Sequence, residues 1–177
     1  MGIVNGTTNF ILTKMTEEGA EYADVLAEAQ SLGFAEADPT ADVEGSDAAA
    51  KAAILATIAF GAKVVAGDVY QEGISKISKD DIAAASHMGH VIKLLAVAES
   101  DGNQVAVRVH PTMVSRNHPL AAVRESFNAV FLEGSEVDDL MLYGRGAGGG
   151  PTASAMLGDV ISAARNLQQG VSSDIGL

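Results

Sequence analysis

The residues best suited to chemistry crowd into FAEADPTADVEGSDAAAK, residues 34 to 51. Glu36, Asp38, Asp42, Glu44 and Asp47 fall in this one short stretch, and Lys51 follows Asp47 by one helical turn. Carboxylates this dense repel one another. They are tolerated on a solvated loop, or where a cationic ligand and a lysine share the site. A lysine four residues after an aspartate lies on the same helix face, so Asp47 can hold and orient Lys51. The implied chemistry is the gripping of a polar, amino-bearing substrate beside a proton donor. The spacing does not match an EF-hand calcium loop, and Pro39 interrupts it. A plain solvated loop would not require Lys51.

Two further stretches bear on a site. GRGAGG, residues 144 to 149, spells G-x-G-x-x-G after a strand-like run and before a helix-like one. A dinucleotide fold also needs a second parallel strand and an acidic residue about twenty positions on, and the chain is nearly over by then. The stretch therefore reads either as a tight turn or as a loop whose amides, at a helix N-terminus, face a ligand. Five glycines in seven residues, with Tyr143, Arg145 and Thr152 close by, favour the ligand-facing loop. NGTTN, residues 5 to 9, reads first as a helix cap, with Gly6 permitting close backbone approach and Thr7 offering a hydroxyl. His87, His90, His110 and His118 form no metal-ligating pattern and read as structural or surface residues. No G-x-S-x-G hydrolase elbow occurs.

The elements that must position these groups follow from apolar spacing. Helices are expected over Thr7–Glu18, Glu21–Leu32 and, capped by Ser46, up to about Phe60, with Gly19, Gly33 and Gly61 as stops. Pro39 is expected to forbid regular helix in the acidic loop. The run AAAKAAILATIAF is so apolar that its helix is expected to be buried on most sides, with Lys51 the anomaly. A short helix over Asp80–His87 precedes two strands, HVIKLLAVAES and NQVAVRVHPTMV, joined by the hairpin dipeptide Asp101-Gly102. A turn at His118-Pro119 leads to two more strands, FNAVFLEG and DDLMLYG. Pro151 then opens a helix to about Asn166. Helices at the front and strands behind argue an α+β fold, with a mixed or antiparallel sheet covered by helices.

At 177 residues the chain suffices for one domain with a substantial core. Hydrophobic residues make up 47% and aromatic residues 5%, so the core is aliphatic with alanine-rich helices lying close together. The net charge of −12 disfavours nucleic acid and anionic membranes, so neither is expected as a partner. Without cysteine there are no disulfides or thiolate metal sites. No apolar run spans a bilayer and no basic-then-apolar leader is present, so a cytoplasmic location is expected. The opening GIVNGTTNFIL reads like the inside of a longer protein.

GIVNGTTNFIL, LGFAEADPTADVEGSDAAAK, EGISKIS, VRVHP and YGRGAGGGPTASAMLGD, in this order, closely resemble homoserine dehydrogenase. The resemblance covers nearly the whole chain. It falls on the family's catalytic and dimerisation region, without its N-terminal nucleotide-binding domain or the C-terminal regulatory domain that many members carry. It implies the catalytic and substrate domain of a two- or three-domain dehydrogenase, with residues 1–170 forming that domain and 171–177 a tail or truncated linker. The implied reaction interconverts L-aspartate 4-semialdehyde and L-homoserine with NADP or NAD, on the way to threonine, methionine and isoleucine. The implied assembly is a homodimer.

The resemblance also assigns residues. Lys51 would be the catalytic proton donor and acceptor, oriented by Asp47. Glu36, nearest the α-amino group, and Asp42 would hold the substrate, with Gly6, Thr7 and Phe34 beside it. Asn5, Gly144, Gly146, Ala147 and Gly148 would contact the cofactor. Phe34 stands where members often carry tyrosine, so one hydroxyl contact is absent. A second family lysine comes from the nucleotide-binding domain, and the family's monovalent metal site draws on residues upstream, so no metal ligand is assigned here. Alone, the chain is expected to fold yet be nearly inactive. The alternative is an amino-acid-binding or dimerisation module without chemistry; Lys51 argues against a sensor, which gains little from a lysine among ligands for an amino group.

Overall fold

The long hairpin predicted from Asp101-Gly102 organises the sheet. In the computed structural model, which describes residues 1–171, β3 (His90–Ser100) and β4 (Val105–Ser115) pair antiparallel along their whole length. Asp101 Oδ1 accepts the backbone N–H groups of Asn103 at 2.9 Å and Gln104 at 2.8 Å, and Gly102 takes a φ of 89°. The side-chain acceptor and the left-handed glycine together close the turn. A second hairpin, β5 (Phe127–Gly134) with β6 (Asp138–Arg145), joins the first through β1 (Gly2–Ile3). With β2 (Tyr70–Gln71) parallel to β4, the six-stranded mixed sheet runs β2-β4-β3-β1-β5-β6.

Neither β1 nor β2 was expected, since two residues carry no readable alternation. β1 nonetheless holds the sheet's centre. A Cβ on Gly2 would lie 2.8 Å from the Ala129 carbonyl oxygen, so the close approach requires glycine.

Helices cover one face of the sheet. Ile92, Leu94, Ala96 and Val109 pack in one core with residues of α1 (Gly6–Glu18), α2 (Tyr22–Ser31), α4 (Ser46–Phe60) and α5 (Lys79–His87). On the other face, Leu95, Val97, Val114 and Phe131 pack with Leu120 of a 3-10 turn at Pro119–Ala122 and with Val123 just after it. The alternation of β3 thus feeds two cores, as period-2 geometry demands.

Three local expectations are corrected. A one-turn helix, α3 (Thr40–Val43), starts directly after Pro39. Proline lacks only a donor that a helix start leaves free, and Asp38 Oδ1 accepts from both the Thr40 amide and its hydroxyl. Those bonds hold the Asp38 carboxyl below its ordinary pKa. Ser46 does not cap α4: Gly45 does so with a φ of 87°, and Ser46 Oγ donates to the Ala41 carbonyl instead. α4 is not buried on most sides. Its alanines 48, 49, 52, 53 and 56 form the buried stripe, while Ile54 and Ile58 are 60% and 66% exposed.

α6 (Gly149–Gln169) extends past the expected Asn166, and none of its residues is buried. The tail expected at 171–177 lies, apart from Val171, outside the described residues. Among those described, no helix is long and apolar enough to cross a membrane.

Candidate active site

Asn5 is the hinge of the site. It sits between β1 and α1 with extended backbone, φ −126° and ψ 114°. Its Oδ1 caps α1 by accepting from Thr8 N at 2.9 Å. Its Nδ2 turns the other way, 2.6 Å from Asp42 Oδ1 and 2.9 Å from Asp47 Oδ2. One side chain therefore ties the first helix to α3 and α4. Both amide hydrogens serve the aspartates. The Asn5 side chain organises the acids while the residue itself borders the cleft.

Lys51 lies where its spacing placed it. Its Nζ is 2.7 Å from Asp47 Oδ2 and 3.3 Å from the Val4 carbonyl oxygen. With two hydrogens so used, the half-exposed ammonium keeps a third for a ligand. The corner carrying Asp42 and Asp47 is locked from behind. Ile74 N donates to the Val43 carbonyl at 2.7 Å, and a Cβ on Gly73 would fall 2.2 Å from that oxygen.

The remaining walls come from distant segments. Thr7 Oγ1 donates to the Phe34 carbonyl at 2.6 Å, fixing the turn after α2, and the Phe34 ring packs on Phe10 at 4.9 Å. A Cβ on Gly6 would stand 2.7 Å from the Ser126 carbonyl oxygen, which brings the segment before β5 against the tip of α1. The end of β6 adds Arg145, and the loop after it Ala147 and Gly148. Together, Asn5, Gly6, Thr7, Phe34, Asp42, Asp47, Lys51, Ser126 and these three border a cleft of about 380 Å³.

Three expected residues do not line it. Glu36 is exposed on the turn beyond Phe34, where its carbonyl accepts from Gln30 Nε2 at 3.0 Å. Gly144 pairs with Asn128 inside the sheet. Gly146 packs on Asn128, whose side chain leaves no room for a Cβ: Nδ2 would be 2.5 Å away. From the glycine-rich stretch, Arg145, Ala147 and Gly148 reach the cleft. The residues present suit the near end of a nicotinamide cofactor. Gly6 and Gly148 present side-chain-free wall, and the Lys51 hydrogen left over from Asp47 and Val4 is a donor beside it. The sheet among the described residues has a single parallel pair, β2 with β4, and so offers no doubly wound nucleotide fold.

Sequence reasoning missed a supporting group, Lys93. It is 3% exposed. Its Nζ donates to Asn9 Oδ1 at 2.9 Å, Thr13 Oγ1 at 3.2 Å and the Val123 carbonyl at 2.7 Å. Burial pulls its pKa down to about 8 against the favourable Glu17 charge, with Arg124 adding to the fall. Asn9 in turn donates to the carbonyls of Val123, Glu125 and Phe127, on either side of the lining Ser126. The signal was a lysine inside the apolar run VIKLLAVA. His90, His110 and His118 are engaged locally: His118 Nδ1, for example, accepts from Leu120 N at 3.1 Å.

The family profile described as homoserine dehydrogenase matches residues 1–161. The homoserine dehydrogenase of Corynebacterium glutamicum is 62% identical, over 96% of this chain and 39% of its own length. That of Bacillus subtilis is 50% identical, over 98% of this chain and 40% of its own length. Among solved structures, a homoserine dehydrogenase from Thiobacillus denitrificans superposes with a TM-score of 0.90 at 44% identity, over 99% of this chain and 40% of that one. A hyperthermophilic archaeal homoserine dehydrogenase mutant in complex with NADPH gives 0.75 at 34%, over 93% and 46%. The chain thus spans about two fifths of the length of the curated relatives it matches. With a family profile over nine tenths of its residues and the same backbone course, the chain belongs to the homoserine dehydrogenase family.

Proposed function

We propose that this chain is the catalytic and dimerisation region, residues 1–170, of an oxidoreductase interconverting L-aspartate 4-semialdehyde and L-homoserine. The observation that carries the reading is the convergence of Asp42 and Asp47 on Asn5, with Lys51 bonded to Asp47, at the wall of one cleft. NADPH or NADH, when bound, supplies the hydride for the aldehyde carbon. The chain's own residues do the rest. Lys51 donates to the substrate oxygen and gives up its proton as that oxygen gains negative charge; in the reverse direction it takes the alcohol proton. Asp47 holds Lys51 in place and stabilises its ammonium. Asp42, bonded to Asn5 through one carboxylate oxygen, has the other for the substrate ammonium. Gly6, Ala147 and Gly148 would border the nicotinamide end. Glu36 is assigned to the substrate ammonium on the resemblance alone.

The homodimer is supported by the sheet's free end: Leu140, Met141, Leu142 and Tyr143 of β6 are all exposed, an uncovered apolar edge that a second copy would bury. Light scattering checks it; a strict monomer would argue against that interface.

The test of chemistry uses a chimera in which this chain replaces the matching segment of the C. glutamicum enzyme. Lys51→Ala is expected to lower kcat roughly 10²- to 10⁴-fold with an unchanged fold, and Glu36→Gln to raise KM for homoserine. Turnover within a few fold of the parent would make Lys51 structural. An unchanged KM would remove Glu36 from the substrate contacts. The chain by itself is expected to bind NADPH weakly, and tight binding by calorimetry would overturn that division of labour.

A further inference from the structure

Arg145 is the one cleft residue whose charge has no assigned task. The cleft holds four charged side chains: Asp42, Asp47, Lys51 and Arg145. Lys51 is paired with Asp47. Arg145 makes no salt bridge with any carboxylate among the described residues, in a chain with 23 acidic and 11 basic side chains. Its guanidinium is therefore free to meet an anion from outside the chain, with a planar fork that suits a carboxylate.

Its position is fixed without an acidic partner. Arg145 lies opposite Phe127, and Tyr143 opposite Ala129, in the β5–β6 ladder. Residues 143 and 145 point to the same face of the strand, so both reach the Phe127 ring. The Arg145 guanidinium lies 4.6 Å from the centre of that ring. The Tyr143 ring stacks on Phe127 at 5.0 Å, tilted by 10°. Phe127 is thus held between a phenol ring and a guanidinium. This contact engages the guanidinium's charge rather than its N–H donors, and is worth about 1 kcal/mol in orienting it. The next residue, Gly146, is wedged on Asn128, which pins the backbone just past Arg145.

We infer that Arg145 is a substrate-specificity residue that takes the α-carboxylate of an amino acid bound in this cleft. This rests on the functional reading above and adds the ligand's anionic end to it. An α-amino acid carries one ammonium and one carboxylate. Asp42 suits the first. Lys51 serves the reacting oxygen, and its charge is already met by Asp47. The planar fork of Arg145 matches a carboxylate through two parallel hydrogen bonds. An acid and a base bordering the same cleft then fix which way round the amino acid lies, with its side-chain oxygen left for Lys51. An amine without the carboxylate would lose that orientation.

The test follows chemical-shift changes of the isotope-labelled chain titrated with L-homoserine and with 3-aminopropan-1-ol, which is homoserine without its carboxylate. Arg145→Met is expected to weaken homoserine binding at least tenfold, as for loss of a charge-assisted bond. It is expected to leave 3-aminopropan-1-ol binding unchanged and so erase the parent's preference between the two. Arg145→Lys is expected to restore part of that preference, since it keeps the charge but not the fork. If the parent chain binds homoserine and Arg145→Met binds it equally well, the inference fails while the cleft assignment stands. If Arg145→Met weakens only NADPH binding, the guanidinium serves a cofactor phosphate and the inference fails again. If the folded parent chain binds homoserine nowhere in this cleft, the cleft assignment itself fails, and this inference with it.

Discussion

Asn5 and Lys51 donate to the same oxygen, Asp47 Oδ2, at 2.9 and 2.7 Å. Asp47 is therefore held from two sides, by an amide from the tip of α1 and by an ammonium from its own helix. Because the Asn5 amide also holds Asp42, two carboxylates are kept close without direct repulsion going unanswered. This arrangement separates two functions of Asn5 that substitution can pull apart. Asn5→Ser keeps an oxygen able to cap α1 but loses the bridge. Asn5→Ala loses both. Urea unfolding should find Asn5→Ala less stable than Asn5→Ser by about 1 kcal/mol, the worth of the cap. Both should be less stable than the parent by the loss of the charge-assisted bonds. Equal stability of Asn5→Ser and parent would show that the bridge to the aspartates contributes nothing.

Lys51 is expected to behave in the opposite way to Asn5. Its pair with Asp47 is half in solvent, and an i,i+4 pair there is worth at most about 1 kcal/mol. Lys51→Ala should accordingly melt within a few degrees of the parent while losing turnover in the chimera. A large loss of stability would mean that the bond to the Val4 carbonyl ties β1 to α4, and that any loss of activity is secondary.

How much of this the sequence shows depends on range. The Lys51–Asp47 pair is four residues apart on one helix, and periodicity alone places it. Asn5 and Asp42 are 37 positions apart, and only the packing of α1 against α3 brings them together. The helices and both hairpins were legible because their apolar spacing and glycine stops are local signals. β1 and β2 were not, since two residues have no period. Pro39 bars a helix only from running through it; a helix start has no use for the missing donor. α4 was expected to be buried because it is apolar throughout; only tertiary structure decides that its alanine stripe faces the core while Ile54 and Ile58 stay outside.

Gly6 tests how closely the tip of α1 meets the segment before β5. Its φ lies outside the left-handed region, so conformation is no obstacle to alanine, but the added Cβ would stand 2.7 Å from the Ser126 carbonyl oxygen. Backbone must give way on one side. Gly6→Ala is expected to cost about 1–3 kcal/mol in urea unfolding, the usual range for overpacking. In the chimera it should also raise KM for homoserine, because Ser126 and Thr7 both line the cleft. A neutral substitution would show that the two segments slide freely past one another.

The buried ammonium of Lys93 gives the fold a pH dependence whose direction can be worked out. In the unfolded chain its pKa is near the ordinary 10.5; in the folded protein burial lowers it to about 8. Below about 8 both states hold the proton, and the folded state carries the full cost of the buried charge. Between about 8 and 10.5 the unfolded state still holds a proton that the folded state has released. Stability rises with pH wherever the unfolded state binds more protons. At 1.36 kcal/mol per pH unit, the gain across this window is about 3 kcal/mol. Other groups titrate in the same range, so the comparison is with Lys93→Met, which lacks this proton and leaves the rest. Unfolding free energies measured from pH 7 to 10.5 should show the parent gaining on Lys93→Met as pH rises, with the curves parallel below about 8. Curves parallel throughout would mean that the three oxygens around Nζ, from Asn9, Thr13 and Val123, compensate the lost hydration in full.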